Sequence, residues 1–133
     1  MFSPLEIATN YVDIGTKKGK MSATKTLLLG IFAGMFIAFG GIASTAASAT
    51  LEGSMAKVVS GLVFPAGLAM VLMAGSELFT GDNLVIIALL EKKIRFRDLM
   101  KNWVCVFFGN FIGAILVTLL VDKVAEEYAD PVL

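Results

Sequence analysis

Glu77 and Asp82 flank Thr80 inside a stretch, Val58 to Leu90, that carries no other charge. A carboxylate at membrane depth costs about 2.5–3.5 kcal/mol on insertion scales, so such residues are rare unless they line a polar pathway. Thr80 lies between the pair, Asn83 follows it directly, and Asn110 is an amide in another apolar run. Nothing here points to catalysis. The chain has no His and one Cys, Cys105, which excludes a disulfide framework, a zinc site and any His-dependent triad within it. We expect no catalytic residue, metal or cofactor; the chemistry in view is passage of a small solute, not a reaction.

The elements that position these residues follow from composition. Of 133 residues, 57% are hydrophobic and 17% charged, with a mean hydropathy of +0.84. Soluble domains carry about 25% charged residues. A globule of this size leaves roughly a third of its surface in water, too much for so apolar a chain. Eleven basic residues balance eleven acidic ones, so nothing steers the chain toward nucleic acid. This reads as one domain, 1–133, whose partner is the lipid bilayer.

A helix needs about 20 mostly apolar residues to cross a hydrocarbon core. Gaps between charge clusters predict span 1 over 26–51, a broken span 2 over 56–90 and span 3 over 102–121. Lys17, Lys18, Lys20, Lys25, Lys92, Lys93, Arg95, Arg97 and Lys101, nine of the eleven basic residues, flank one side. The positive-inside rule makes that side, and the N-terminus, cytoplasmic, with Asp122 to Leu133 emerging outside. Residues 1–20 predict an amphipathic interfacial helix. Ser3-Pro4-Leu5-Glu6 opens it as a capping box, and Leu5, Ala8 and Val12, with Ile7, Tyr11 and Ile14, recur at helical spacing. Lys17 to Ala49 imitates a secretory signal, but its uncharged run is too long and a capped helix precedes it, so it reads as a span.

From Val58 to Leu90, one straight helix would be ~50 Å long at 1.5 Å per residue, well beyond the core. Pro65 predicts a kink, and Gly75 and Gly81 beside the two carboxylates predict a break. Two readings stay open. Either unwound backbone lies mid-membrane, or the span stops at Ser76 and Glu77 to Asp82 form a cytoplasmic loop. Gly30 and Gly34 on span 1, and Gly109 and Gly113 on span 3, are spaced four apart and predict thin faces that pack closely in a bundle or an oligomer. Asn110 must find a partner, for which free backbone groups of the break are candidates. Cys105 reads as a small packing residue. Phe64, Leu68, Leu78 and Phe79 flank the kink and break, where a ring of Phe and Leu can form a hydrophobic constriction. Three crossings per unit also invert any duplicate copy, the origin of inverted repeats.

The runs Gly-Leu-Val-Phe-Pro-Ala-Gly-Leu (61–68), Ala-Gly-Ser-Glu-Leu-Phe-Thr-Gly-Asp-Asn (74–83), Lys-Asn-Trp (101–103) and Phe-Gly-Asn (108–110) resemble the formate/nitrite transporter family, over about Pro4 to Val121. Within it the chain looks closest to the hydrosulfide-channel branch. The resemblance implies an all-α membrane protein, with an amphipathic N-terminal helix and three transmembrane helices, the second discontinuous. That is one half of an aquaporin-like inverted repeat. It further implies a homo-pentamer in a bacterial inner (plasma) membrane, each protomer with a pore for hydrosulfide, formate or nitrite. Phe64 would belong to an outer constriction, and Leu68, Leu78 and Phe79 to an inner one. Thr80, Glu77 and Asn83 would form the pore loop, with Asn110 in support. The family's central His and a Lys of its fourth helix belong to a second repeat. Either the sequence is truncated or a second three-helix half is supplied by another chain.

Asp82 departs from the family, where many members are neutral, and is expected to point away from a pore or to be paired. A bare anion entering a low-dielectric ring meets a Born cost of many kcal/mol. Either donors such as Thr80 replace its hydration or it crosses as the neutral acid, and a Thr hydroxyl cannot supply that proton. The rival reading is a non-transporting three-span membrane anchor subunit, docking a cytoplasmic partner on Lys92 to Lys101.

Overall fold

The computed structural model describes the backbone of residues 2–129 and the side chains of residues 2–127. All regular structure among the described residues is helical: α1 (Pro4–Lys20), α2 (Ala23–Ser48), α3 (Gly53–Val63), α4 (Pro65–Ala74), α5 (Phe79–Asp82), a 3-10 turn (Asn83–Val85), α6 (Ile86–Leu90) and α7 (Phe96–Ala129). Three helical segments, Ala23–Ser48, Gly53–Ala74 and Phe96–Glu127, are long and apolar enough to cross a membrane. The protein is an all-α integral membrane protein with a discontinuous second span. Asp122 continues α7, and residues 130–133 of the expected outer tail lie outside the described residues.

Each membrane helix starts ahead of the apolar limit read from the sequence, and α7 also runs beyond its far limit, whereas α2 stops at Ser48. Helix α7 starts at Phe96, where the Arg95 backbone N–H donates to Asp98 Oδ2 at 3.1 Å. Charged residues can cap and extend a helix beyond the hydrocarbon, which a hydropathy pattern does not register. At the N-terminus the capping box forms: Glu6 N–H donates to Ser3 Oγ (3.3 Å) and Ser3 N–H to Glu6 Oε2 (2.7 Å).

Helices α2 and α7 lie against each other through glycine. A Cβ on Gly30 would stand 3.3 Å from Gly109 Cα, and a Cβ on Gly34 would run into the backbone of Asn110. Gly113 meets Ile31 and Met35 in the same way. Further along, Gly40 packs on Gly67 of α4, and Ser44 Oγ lies 2.6 Å from Ser60 Oγ of α3. Removing side chains from the contact lets the backbones approach, the main source of helix affinity where lipid is as apolar as leucine.

Pro65 bends the second span without ending it. Phe64 stays in the helical region between α3 and α4, and the Gly67 N–H reaches Phe64 O at 3.0 Å. The true stop is Gly75, which is left-handed at φ 63°. Its N–H bonds Leu72 O (3.3 Å) and the Ser76 N–H bonds Val71 O (3.0 Å), the two bonds of a Schellman ending. The chain then runs extended to Leu78 before α5 begins. Beneath this break, Val85, Ala88, Ile94 and Leu99 form a small buried core. Gly15 and Gly19 of α1 rest on it, against Ala88 and Ile94 respectively.

Candidate functional site

A break in a membrane helix frees backbone groups that lipid cannot satisfy. Asn110 resolves most of that need. Its Nδ2 donates to Glu77 O (2.9 Å) and to Gly30 O (2.8 Å), while its Oδ1 accepts from the Phe79 N–H (2.9 Å). The Glu77 N–H adds a bond to Leu29 O at 3.3 Å. The extended residues Ser76 to Leu78 are thus stitched to α2 and α7 together, about 10 Å along α2 from its start at 1.5 Å per residue. Among the two readings of Glu77 to Asp82, the geometry is that of a break held between helices, not a free loop.

Both carboxylates are buried and turn toward α1. Lys18 Nζ lies 2.6 Å from Glu77 Oε2 and 2.6 Å from Asp82 Oδ1. Asp82, fully buried, also accepts from Asn102 Nδ2 (3.2 Å), and its backbone carbonyl accepts from Trp103 Nε1 (3.0 Å). Asn102 Oδ1 is buried with no partner among the described residues. Tyr11 OH donates to Gly81 O at 2.8 Å, so α1 touches the break at both ends of the acidic pair. Desolvation pushes the Lys18 pKa down, but its hydrogen bonds to Asp82 and Glu77 outweigh this, and the net shift is upward. Asp82 is thus paired, one of the two outcomes expected of it.

On the other side of the break, Ile37, Phe64, Leu68, Leu78 and Thr80 line an open cleft of about 290 Å³. Its walls are apolar apart from the Thr80 hydroxyl, and Phe64, Leu68 and Thr80 are exposed within it. The structure thus brings together four residues singled out from the sequence: Phe64, Leu68, Leu78 and Thr80. Phe79 does not line this cleft; it packs edge-on against Phe107, with ring centroids 5.6 Å apart. Glu77 turns into the Lys18 pair, and Asn83 stands exposed at the start of the 3-10 turn, so neither lines the cleft.

Several contacts escaped sequence reasoning. Lys18 was one of four lysines before span 1, Tyr11 one member of an apolar face, and Ile37 an unremarked residue of span 1. The partners of Lys18 and Tyr11 lie 59 to 70 positions away, and those of Ile37 across the cleft 27 to 43, all beyond the reach of local periodicity. The one available signal was the Lys101-Asn102-Trp103 run, a polar cluster where α7 enters its apolar stretch; all three side chains turn out to bond α1 or the break.

A family model described as formate/nitrite transporter matches residues 5–130. A formate channel of Bacillus thuringiensis is 37% identical over 118 residues, covering 86% of this chain and 46% of that protein. A formate channel of Escherichia coli is 36% identical over 120 residues, covering 88% of this chain and 42% of that protein. A probable formate transporter of Methanothermobacter thermautotrophicus is 36% identical over 121 residues, covering 86% and 44% respectively. The chain spans less than half the length of these relatives.

Proposed function

The chain belongs to the formate/nitrite transporter family, and on that premise we propose that it forms one half of a channel for small monovalent weak-acid anions. The observation that carries this reading is the cleft beside the break, where apolar walls from Phe64, Leu68 and Leu78 meet one hydroxyl, Thr80. Such a lining admits a small solute, strips its water and offers a single donor. It is open along one side, as half a pore would be. A second three-helix half, inverted with respect to this one, closes it, and pentameric assembly surrounds each pore with neighbours. The N-terminus, with α1 and the lysine-rich loop, faces the cytoplasm of a bacterial inner membrane.

Formate leads the substrate list, because the relatives are named for it. Hydrosulfide and nitrite follow as anions of similar size and single charge. The proton that would neutralise the anion comes from outside the cleft, since Thr80 has no acidic proton to give. Phe79 acts one layer back, holding Leu78 through its stack on Phe107.

Flux in liposomes loaded with formate, nitrite or hydrosulfide tests the reading. Replacing Leu78 and Phe79 with Ala widens the slit and loosens selectivity; unchanged flux and selectivity would remove Leu78 from the pathway and Phe79 from its support. The anchor reading makes a different forecast, that Cys placed at Thr80 is freely labelled from the cytoplasm and no anion crosses.

A further inference from the structure

The end of α1 is gripped by a residue remote from the cleft. Lys101 of α7 donates from Nζ to Gly19 O (2.8 Å) and to Met21 O (2.6 Å). These carbonyls terminate α1, with Met21 as its C-cap, and have no helical N–H of their own to accept from. An ammonium at this point also meets the negative end of the helix dipole. One residue before Gly19, Lys18 reaches the other way, and among the described residues it is the only cation within ion-pair distance of Glu77 or Asp82.

The residues that follow Lys101 hold the far end of the same chain of contacts. Asn102 bonds the Asp82 carboxylate and Trp103 the Asp82 carbonyl. The contacts therefore close a ring: from α7 to the end of α1, through Lys18 to Asp82, and back to α7. A ring differs from the same bonds made separately. Lys18 has a flexible stem, and ordering it costs entropy unless its backbone is already fixed. Fixing Gly19 removes much of that cost for Lys18, so breaking the ring at Lys101 weakens the ion pair without touching it.

We propose that Lys101 is a positioning residue, which keeps Asp82 and Glu77 neutralised by anchoring the stretch of α1 that carries Lys18. The inference goes beyond the transport reading and can fail independently of it, because its test needs no substrate. Amide hydrogen exchange is measured over Val12 to Lys20 in the protein held in lipid nanodiscs, for wild type, K101M, K101R, K18M and K18M/K101M. We expect K101M to exchange about tenfold faster in this segment while amides of α2 and the middle of α7 stay within about twofold. K101R, which keeps charge and donors, restores protection. The double variant exchanges about as fast as the faster single variant, since a ring opens once. The proposal is overturned if K101M matches wild type, if K101R is as fast as K101M, or if the two single effects multiply in the double variant. Should K101M not assemble, K101Q, with a neutral amide donor, gives the same comparison: intermediate protection supports the proposal and wild-type protection defeats it.

Discussion

Two regions of the molecule hold helices together by opposite means. Along α2 and α7, Gly30, Gly34, Gly109 and Gly113 leave nothing between the backbones, and affinity comes from close contact, with a single side-chain bond, Asn110 to Gly30 O, across it. Below the break, α1, α5 and α7 are kept at a distance that side chains span: Lys18, Tyr11, Lys101, Asn102 and Trp103 each bond an element other than their own. The first arrangement has one geometry and tolerates no added atom. The second is built from long polar arms whose strength depends on charge and solvent. The glycine seam is the frame, and the polar cluster is where that frame can carry unwound backbone and buried charge.

The sharpest way to break the comparison is to put a methyl group in the seam. Gly34→Ala aims a Cβ at the Asn110 backbone, its Cα only 2.8 Å away, and Gly113→Ala meets Met35 N at 2.9 Å. Backbone cannot step aside like a side chain, so each change should cost about 3 kcal/mol, the upper end for overpacking. Loss of the folded species on size-exclusion chromatography checks it. Gly41→Ala, which points into open space, is the control and should be silent. A seam that absorbed Gly34→Ala without loss would mean α2 and α7 are not held by close contact.

Second in size is Lys18→Met. It leaves two carboxylates, one of them fully buried, without their cation. Breaking one side of a buried pair costs roughly 3–5 kcal/mol; with the Lys18 side chain 21% exposed, about 2–3 kcal/mol is expected. Adding Asp82→Asn should recover part of this, and failure to recover would show that Lys18 acts by packing rather than charge. The pH dependence has a definite sign. The Lys18 pKa is raised above its ordinary 10.5, so its contribution is complete below that value and is lost only as pH rises beyond it. Loosening of α1 that set in well below 10.5 would have to originate in the carboxylates instead.

These two regions also differ in how far they could be read without coordinates. Glycines four apart announce a packing face by local spacing but not its partner, and it is the structure that pairs span 1 with span 3. Gly75 and the 33-residue length of Val58 to Leu90 announced a break, because neither lipid nor helix geometry allows the alternative. The polar cluster was only half legible. That Asp82 needed a partner follows from the cost of a buried charge, but which of several lysines supplies it depends on how α1 folds back. The cleft residues Phe64, Leu68, Leu78 and Thr80 were found because they flank a kink and a break. Phe79 was grouped with them by adjacency, and the turn into α5 sends it to Phe107 instead.

Asn110 sits where the two regions meet, and it measures their coupling. Its side chain holds Glu77 O and the Phe79 N–H, and its backbone abuts Gly34. Asn110→Ala deletes three hydrogen bonds, each worth about 0.6 and at most ~1.7 kcal/mol within a membrane. A total near 2 kcal/mol is expected by thermal melting in detergent, smaller than the loss from Lys18→Met. Asn110→Asp, protonated at low pH, keeps the acceptor for the Phe79 N–H and one of the two donations, so it should fall between wild type and Ala there.

The smallest effect belongs to the capping box, at the far end of α1 from Lys101. Ser3 Oγ accepts from the Glu6 N–H, and the Glu6 carboxylate accepts from the Ser3 N–H. That backbone bond, then the Ser3 hydroxyl, holds the Glu6 pKa below its ordinary 4.5. A lowered carboxylate pKa contributes above the unfolded value and is lost as pH falls through the folded one, so the cap should be intact at neutral pH and fray only under acid. Both residues are exposed, and Ser3→Ala should raise amide exchange in the first turn of α1 by only a few-fold. Protection near Lys18 should not change, because the ion pair and the Lys101 grip lie four turns away. If Ser3→Ala did release the Lys18 end, α1 would be docking as one rigid unit, and the anchoring assigned to Lys101 would be shared along its whole length.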